Sequence, residues 1–196
     1  GRAGRDGGEG ECITFYTKSD LKKLEKFMQS KPANEQEIGK QLLAETAAYA
    51  ESSVCRRKTL LHYFGEEYTQ SDCGNCDNCR HPKVRVEAKD ELCAVLEAIL
   101  ALKEKRKTDY VTKLLLGKPL EDIKDESLEL YGSESSAEPK FIHSVINQGV
   151  IEGYIEKGIE NYGLLKVTPK GREYLAHPVS FKVAEDRDFT DIDSEK

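Results

Sequence analysis

The stretch CGNCDNC, residues 73–79, places three cysteines within seven residues, each separated from the next by two others. Thiolate sulfurs are preferred zinc ligands, and a Cys-x-x-Cys turn lets two of them converge on one ion. Gly74 and Asn75 suit such a turn. A tetrahedral site needs a fourth ligand, and Cys55, at the start of the preceding predicted helix, is the best candidate. The spacing therefore predicts a structural zinc site formed by Cys55, Cys73, Cys76 and Cys79.

Other side chains could supply the fourth ligand. Cys12 lies in a predicted strand and Cys93 on an apolar helix face, so each is expected to be a small core residue. His81 is followed by Pro82 and is a weaker choice. The cysteines could instead be free or form a redox pair. Redox Cys-x-x-Cys motifs accompany a βαβ pattern, which this sequence lacks, so a metal site is favoured.

Composition restricts the class of protein. The chain has 196 residues, 34% of them charged, and a formal net charge of −6. It contains no run of about 18 apolar residues and no signal peptide, so neither a membrane span nor export is expected. Without export, cysteines favour metal binding over disulfides. The negative charge disfavours nucleic acid as a partner, because phosphate binding uses Lys and Arg. Any DNA-binding face must therefore be local.

Hydrophobic periodicity predicts a mainly α fold with a small amount of β-structure. A short buried strand is expected over residues 11–17. A helix capped by Ser19 follows, and Asn34 starts a second helix with capping-box spacing to Glu37. A third helix begins near Cys55, before the cysteine-rich loop. These elements predict a helical hairpin held by zinc.

A second unit starts near Ala88. A long amphipathic helix is followed by a short helix capped by Thr108 and a third helix with Pro139 in its first turn. Two strand-like segments, 150–156 and 162–168, and a last helix complete the unit. Helix, helix, helix, strand, turn and strand is the order of a winged helix. The acidic tail, which has few apolar residues, is predicted to be a disordered linker.

Three motifs in order, GRAGRDG (1–7), CRRKTLLHYFGE (55–66) and CGNCDNC (73–79), resemble the RecQ family of DNA helicases. The segments LELYG (128–132) and VTPKG (167–171), with the sequence between them, resemble that family's winged-helix domain. The resemblance implies four parts. They are the end of the second RecA-like helicase lobe (1–30), a helical zinc-binding module (31–83), a winged-helix DNA-binding domain (84–183) and an acidic linker (184–196).

The resemblance also implies an activity. Arg5 would be the arginine finger that stabilises charge on the γ-phosphate of ATP, and Arg2 would help couple the nucleotide to the motor. The alternative for this motif is a flexible linker that contains arginines. No G-x-x-x-x-G-K-[ST] phosphate loop occurs in the sequence. The expectation is therefore a C-terminal region of an ATP-dependent 3′–5′ DNA helicase, which binds ATP and Mg²⁺ through other lobes and has no ATPase activity as this chain alone.

Candidate DNA contacts lie in both units, although each could be an ordinary solvated side chain. The candidates are Arg56, Arg57, Lys58, Lys140, Ser144, Asn147, Lys157, Tyr162, Lys166, Lys170 and Arg172, with Lys105, Arg106 and Lys107 at the end of the long helix. Tyr162, near the wing tip, could stack on a terminal base pair or pack against the sheet. The loop YGSESSAEPK, residues 131–140, is acidic where relatives carry basic residues. We therefore expect few phosphate contacts and a shallow salt dependence.

The partners that the resemblance implies are duplex, forked or single-stranded DNA and the helicase lobes. A single-strand-binding protein is a further candidate partner. The expected setting is DNA repair, recombination and replication in a bacterial cytoplasm, in association with the nucleoid. Two other functions fit the same residues: a free-standing zinc and winged-helix regulator that binds DNA, and a protein-interaction module without helicase activity.

Overall fold

The computed structural model describes residues 6–158 and 163–187, which form two units. The first unit consists of helices, with bounds α1 (Lys18–Met28), α2 (Ala33–Glu51), α3 (Arg56–Tyr63) and α4 (Asp77–Arg80). The second unit mixes helices with short strands. Its elements are β1 (Val86–Glu87), α5 (Lys89–Ala101), α6 (Thr108–Leu115), a 3-10 helix (Ile123–Ser127), α7 (Pro139–Ile151), β2 (Ile155–Gly158), β3 (Leu164–Val167), α8 (Pro169–Ala176) and β4 (Lys182–Val183).

The first two helices form a hairpin with little apolar interior. Gly39 of α2 allows Met28 to pack against the helix, because a Cβ at residue 39 would overlap the Met28 Cε. No residue of α1 is buried, and the buried residues of α2 are Gly39 and Gln41. Hydrophobic burial alone therefore gives this unit little stability.

The apolar core of the described residues lies in the second unit, between Ala88 and Val183. Helix α5 buries Leu92, Leu96 and Ile99, which recur every three or four residues and so share one face. Helices α6 and α7 and the hairpin cover this face. Their largest fully buried side chains are Leu114, Leu115, Ile142, Ile146, Ile155 and Leu165.

Strands β2 and β3 form the antiparallel wing, with Ile155 opposite Val167 and Gly158 opposite Leu164. A second pair, β1 with β4, places Val86 opposite Val183 and joins the two ends of this unit. Three helices followed by a hairpin constitute a winged helix. The predicted fold class, mainly α with a small amount of β-structure, is confirmed. No helix among the described residues has both the length and the apolar character to cross a bilayer.

The predicted strand over residues 11–17 is wrong. These residues are irregular, and Phe15 and Ile13 are 95% and 71% exposed. A short apolar run forms a stable strand only beside another strand, and within the described residues the segment has none. Cys12 is consequently exposed rather than a core residue.

Several element ends also differ from prediction. Thr17, not Ser19, is the N-cap of α1, and Asn34 lies inside α2 rather than capping it. Helix α7 continues to Ile151, so the first wing strand begins at Ile155. The prediction of a disordered linker from residue 184 onward is wrong for Ala184–Arg187. This segment packs between the two units, where Ala184 and Asp186 are buried.

Candidate metal centre and nucleic-acid interface

The four predicted zinc ligands converge. Cys55 stands immediately before α3, Cys73 and Cys76 flank a turn, and Cys79 lies on α4. Their sulfurs all lie within 4.8 Å of one another. The φ angle of Gly74 is +63°, a backbone conformation that favours glycine and that the Cys-x-x-Cys turn uses. The turn therefore brings Cys73 and Cys76 onto the same side as Cys55.

The spacing of the sulfurs fits zinc. The Cys76 and Cys79 sulfurs are 3.4 Å apart, and those of Cys73 and Cys79 are 3.9 Å apart. Four sulfurs at 2.3 Å from a central zinc ion would be about 3.8 Å from one another in a regular tetrahedron. Since protein sulfurs would occupy all four positions, the arrangement provides a structural metal site rather than a catalytic one.

Backbone groups favour the thiolate form that a metal requires. The N–H of Arg56 donates to the Cys76 Sγ at 3.4 Å, and the N–H of Cys76 donates to the Cys73 Sγ at 3.3 Å. Burial opposes ionisation of Cys73, but the N–H groups of Asn75 and Cys76 outweigh it and lower its pKa to about 6. Burial raises the pKa of Cys79. Because thiolates in contact repel each other, full ionisation requires a cation among them.

Two polar side chains brace the cysteine segment. The Asn78 Nδ2 donates to the carbonyl oxygens of Ser52 and Val54, both at 2.7 Å. The Arg56 guanidinium donates to both carboxylate oxygens of Asp77 at 3.0 Å and to the carbonyl of Tyr49. These bonds connect the Cys73–Cys79 segment to the chain just before Cys55. The sequence analysis did not predict that Asn78 braces the metal centre. The available signal was its position between the ligands Cys76 and Cys79.

The alternative fourth ligands do not join the centre. His81 is exposed, and Cys12 is exposed at the other end of the first unit's sequence. Cys93 packs against the core of the winged helix. All three side chains are outside the group of converging sulfurs.

Most predicted DNA-binding side chains have partners within the protein. Arg56 braces the metal centre, and its side chain is only 15% exposed. The Lys157 Nζ lies 2.8 Å from the Glu45 carboxylate of α2. Lys170 donates to the Glu152 carbonyl at 2.7 Å and lies 4.5 Å from the centre of the Tyr154 ring. Lys170 and Lys157 therefore have structural contacts irrespective of any DNA contact.

Ser144 requires a correction. Its predicted role needs an exposed hydroxyl, but the residue is 2% exposed. The Oγ donates to the Lys140 carbonyl at 2.9 Å and accepts from the N–H of Asp186 at 2.9 Å. Ser144 therefore belongs to an internal contact. Lys140 lies in the first turn of α7 and is half-buried.

Lys166 and Arg172 lie beside one edge of the wing, with the basic segment that follows α5. The N–H of Leu165 donates to the Arg106 carbonyl at 3.0 Å, and the N–H of Val167 donates to the Glu104 carboxylate at 3.2 Å. Residues 104–106 therefore run alongside β3 in the opposite direction. We call residues 103–106, β3 and Arg172 the wing edge. Within it, Arg172 pairs with Glu104 at 3.0 Å.

The remaining predicted residues fall into three groups. Arg57 is exposed and Lys58 half-exposed on α3, away from the wing edge in the sequence and on the other unit. Arg2, Arg5 and Tyr162 lie outside the described residues. The other basic residues at the end of α5 are paired. Arg106 contacts Asp125 at 3.0 Å, and Lys107 contacts Glu37 at 2.6 Å.

A cavity of about 410 Å³ separates the first unit from the winged helix. Helices α2 and α3 form one wall, and α7 and β2 form the other. Its lining is mixed in polarity and includes Glu45, Tyr49, His62, Tyr63, Asn147 and Lys157. The two units therefore meet through separate polar contacts around an open space, not through a continuous apolar interface.

Comparison with known families agrees with this architecture. The RecQ zinc-binding family matches residues 18–80, and the RQC domain family matches residues 82–191, more than half of the chain. The chain belongs to the RecQ family. The matched ranges are those of a RecQ C-terminal region, and the Cys₄ cluster is its structural zinc site.

Similar proteins come from several bacteria. The ATP-dependent DNA helicase RecQ of Pasteurella multocida is 32% identical over 180 residues, which cover 89% of this chain and 28% of that protein. The helicase of the same name from Haemophilus influenzae is 32% identical over 186 residues, covering 89% and 30%. That of Bacillus subtilis is 26% identical over 185 residues, covering 92% and 31%. The chain thus spans less than a third of the length of these relatives.

Proposed function

We propose that this chain is the substrate-positioning region of an ATP-dependent DNA helicase that unwinds duplex or forked DNA in the 3′–5′ direction. The supporting observation is the succession, in one chain, of a RecQ zinc-binding region and an RQC winged helix. The similar proteins are named ATP-dependent DNA helicase RecQ. In this proposal the other helicase lobes bind ATP and Mg²⁺ and supply the motor.

The wing edge is the best supported DNA contact within the described residues. Leu165 and Val167 point into the core, so Lys166 between them lies on the solvent side of β3. Lys105 lies on the neighbouring segment, between Glu104 and Arg106, which contact β3 at Val167 and Leu165. Lys105 is exposed and Lys166 half-exposed on neighbouring segments, with Glu156 opposite Lys166 on β2. Two adjacent ammonium groups are suited to phosphate oxygens. Arg172 extends this row, although it shares its charge with Glu104.

Other contacts are proposed from sequence and placement. Arg57 and Lys58 on α3, Lys140 at the start of α7, and Lys170 at the start of α8 would add phosphate contacts. Tyr162 would stack on the terminal base pair at a fork. Arg5 would act as the arginine finger and Arg2 would couple the nucleotide to the motor.

The cellular role is proposed by analogy with the family. DNA repair, recombination and replication all generate forked DNA, which is the substrate that we propose. A single-strand-binding protein is a proposed partner, since unwinding produces the strand that it coats. Association with the bacterial nucleoid would follow from DNA binding.

The test is binding of the zinc-loaded chain to labelled forked, duplex and single-stranded DNA, measured by fluorescence anisotropy at several salt concentrations. The variant Lys105→Ala/Lys166→Ala should weaken binding and reduce the slope of log affinity against log salt by about 2, one for each lost phosphate contact. The matched control is Lys22→Ala/Lys118→Ala, which removes the same charge from exposed sites elsewhere. Equal weakening by both variants would contradict a specific wing-edge contact.

One observation favours a second function. The first unit exposes large apolar side chains, including Phe15, Phe27 and Phe64, while the chain as a whole is acidic. A zinc and winged-helix module that docks proteins, without helicase activity, would have such a surface. In the same assay, absence of binding to all three DNAs near physiological salt would favour this alternative.

A further inference from the structure

The segment Ala184–Arg187, which we call the strap, follows β4 and lies between the zinc-binding unit and α7. Ala184 and Asp186 are buried, whereas the side chain of Glu185 points to solvent. Ala184 and Asp186 thus face the protein interior, Glu185 between them faces solvent, and Arg187 is half-buried. This pattern indicates a specific packing position for the strap.

On the winged-helix side, the strap binds two residues of α7. The N–H of Asp186 donates to the Ser144 Oγ at 2.9 Å. The Asn147 Nδ2 donates to the Asp186 Oδ2 at 3.1 Å. Ser144 and Asn147 lie three residues apart and therefore face the strap from one side of the helix.

On the zinc side, the strap binds the two segments that carry metal ligands. The N–H of Ser53, two residues before Cys55, donates to the Asp186 Oδ1 at 3.3 Å, and the Ser53 Oγ donates to the Glu185 carbonyl at 2.7 Å. The Arg187 Nε donates to the Oδ1 of Asn78, the neighbour of Cys79, at 2.8 Å. One carboxylate and one guanidinium therefore connect α7 with both halves of the zinc site.

A third element joins this network. The Lys83 Nζ, from the connection between the units, donates to the carbonyl oxygens of Glu185 and Asp186, each at 3.1 Å. The N–H of Arg187 donates to the Glu51 carbonyl at 2.6 Å, at the end of α2. Four backbone groups of the strap, the N–H groups of Asp186 and Arg187 and the carbonyl groups of Glu185 and Asp186, thus have partners outside the strap, as do the side chains of Asp186 and Arg187.

The other contacts between the units are weaker candidates for fixing their angle. The ion pairs Lys107–Glu37 and Lys157–Glu45 join α2 to the winged helix, and the first is about half exposed. The exposed Lys107–Glu37 pair contributes little, because water and salt screen it. The Lys157 and Glu45 side chains are only 15% and 24% exposed, but this pair is a single contact between α2 and β2. Glu45 and Lys157 line the cavity, so the units are not joined by continuous apolar packing at that pair. A buried carboxylate with several donors is more directional, because any rotation leaves donors without an acceptor.

We propose that Asp186 and Arg187 are positioning residues that fix the angle between the winged helix and the zinc-binding unit. The consequence for DNA rests on the proposed function: the wing edge is then presented to the duplex at one set angle relative to the rest of the helicase. Ser53 lies two residues before Cys55, and Asn78 adjoins Cys79. The zinc site therefore determines the position of the groups that the strap binds on the first unit.

The experiment measures the angle directly. The full chain, zinc-loaded, carries donor and acceptor dyes on unnatural residues at Lys22 in α1 and Lys113 in α6, both exposed. We expect one narrow distance distribution by single-molecule energy transfer. Asp186→Ala/Arg187→Ala should broaden or shift the distribution, while zinc content and helicity stay unchanged. Glu185→Ala is the matched control, since it keeps the carbonyl that the strap uses, and should behave like the parent chain.

A second variant covers the case in which the double variant does not fold. Asp186→Asn keeps one oxygen acceptor for the Ser53 N–H but exchanges the other for a donor that faces the Asn147 amide. It should give an intermediate broadening. An unchanged distance distribution in folded, zinc-loaded Asp186→Asn and Asp186→Ala/Arg187→Ala would overturn the proposal, even if both variants unfold at a lower temperature.

A DNA measurement separates the two proposals. Forked-DNA affinity should fall about threefold to tenfold in Asp186→Ala/Arg187→Ala, the range expected of coupling between neighbouring units, and should not fall in Glu185→Ala. If the parent chain binds no DNA, the proposed function fails while the distance distribution still decides the role of the strap. If the distribution broadens but fork affinity is unchanged in a parent that binds DNA, the link between strap and DNA is overturned.

Discussion

The two units of this chain achieve a defined structure by opposite means. Every member of the apolar core found among the described residues lies between Ala88 and Val183, in the winged helix. In the zinc-binding unit, by contrast, the buried residues include the polar Gln41, Ser52 and Asn78 and the metal ligand Cys55. One unit is held by side-chain packing, and the other by four sulfurs and a set of polar braces.

The difference teaches where each unit is vulnerable. Hydrophobic stabilisation is spread over many side chains, so single changes remove only part of it. A metal centre concentrates binding free energy of about 10–16 kcal/mol in one ion, which is folding free energy when the site exists only in the folded state. Loss of the metal ion should therefore unfold the zinc-binding unit, whereas the winged helix should stay folded after a single side-chain truncation.

Removal of zinc should give the largest effect. A strong chelator, or the variant Cys76→Ser, should unfold the region between α2 and α4 because the segment Cys73–Cys79 loses its link to Cys55. Hydrogen exchange followed by mass spectrometry of peptides should show loss of protection in α2 and α3. Peptides from α5 and α7 should keep theirs, because their core contains no metal ligand.

Two controls support this reading. Added Zn²⁺ should restore protection in the chelated chain, whereas Mg²⁺ should not, because it prefers oxygen ligands. Preserved protection of α2 and α3 in a chain shown to contain no zinc would break the comparison between the two units.

Truncation of a core side chain should have the next largest effect on stability, and this effect should be confined to the winged helix. Ile146 is fully buried on α7, and Ile146→Ala should reduce the free energy of unfolding of the winged helix by about 2–5 kcal/mol. The exposed Ile123, in the 3-10 helix, provides the control: Ile123→Ala should change it by less than about 0.5 kcal/mol. Urea unfolding followed by exchange of α5–α7 peptides measures both. Equal effects of the two changes would show that the winged helix is not held by this core.

The sequence predicted the structure correctly where residue spacing along the chain is compatible with only one local arrangement. Two-residue spacing of Cys73, Cys76 and Cys79 predicts convergence on a metal. Apolar periodicity after Ala88 predicts an amphipathic helix, and α5 buries Leu92, Leu96 and Ile99 on one face. Both depend on contacts within or next to a single element. The choice of Cys55 over Cys12 also held, because Asn78 binds the carbonyl groups of Ser52 and Val54 and so holds the chain before Cys55 against the cysteine segment.

It failed where the partner is distant in sequence. Nothing local distinguishes Ser144 as a buried acceptor, since its partner Asp186 lies 42 residues away. The acidic, polar composition of the tail predicts disorder, but Asp186 and Arg187 find donors and acceptors on two units. Nothing in the sequence indicated the partners of Arg56 either: its guanidinium binds Asp77, 21 residues away, and the carbonyl of Tyr49, so its predicted phosphate contact stays a prediction.

A smaller effect is expected from the Arg56–Asp77 brace, which tests whether polar contacts matter within the zinc-binding unit. Arg56→Ala should lower the free energy of unfolding of the zinc-loaded unit by about 1.5–3 kcal/mol, the range for hydrogen bonds to charged groups. Arg56→Lys should recover only part of this loss, because an ammonium cannot bind both carboxylate oxygens as a planar guanidinium does. Competition with a chelator, at a temperature where all three chains are folded, measures the effect. Full recovery by lysine would show that charge alone matters.

The smallest effect concerns a carboxylate on the winged helix. A hydrogen bond from the Tyr110 hydroxyl at 2.6 Å, helped by the Arg106 guanidinium at 3.0 Å, holds the pKa of Asp125 below its ordinary value of 3.8. An acid with a lowered pKa in the folded state stabilises the fold at pH values above its unfolded pKa. That contribution is lost as the pH falls through the folded pKa.

Asp125→Asn should therefore destabilise the winged helix at pH 6 by less than about 1 kcal/mol, since the group is partly solvated. The difference from the parent chain should shrink as the pH falls below 3.8 and disappear once the pH is below the lowered pKa of Asp125 in the folded state. Because acid also protonates the cysteines and releases zinc, the measurement must report on the winged helix alone, by exchange of α6 peptides. A difference between the parent and Asp125→Asn that stays constant from pH 6 to pH 3 would assign the stabilisation to side-chain shape. If the difference vanishes in acid, the charge of Asp125 stabilises the winged helix through Tyr110 and Arg106. The winged helix would then be stabilised by its apolar core and this polar cluster, without the metal.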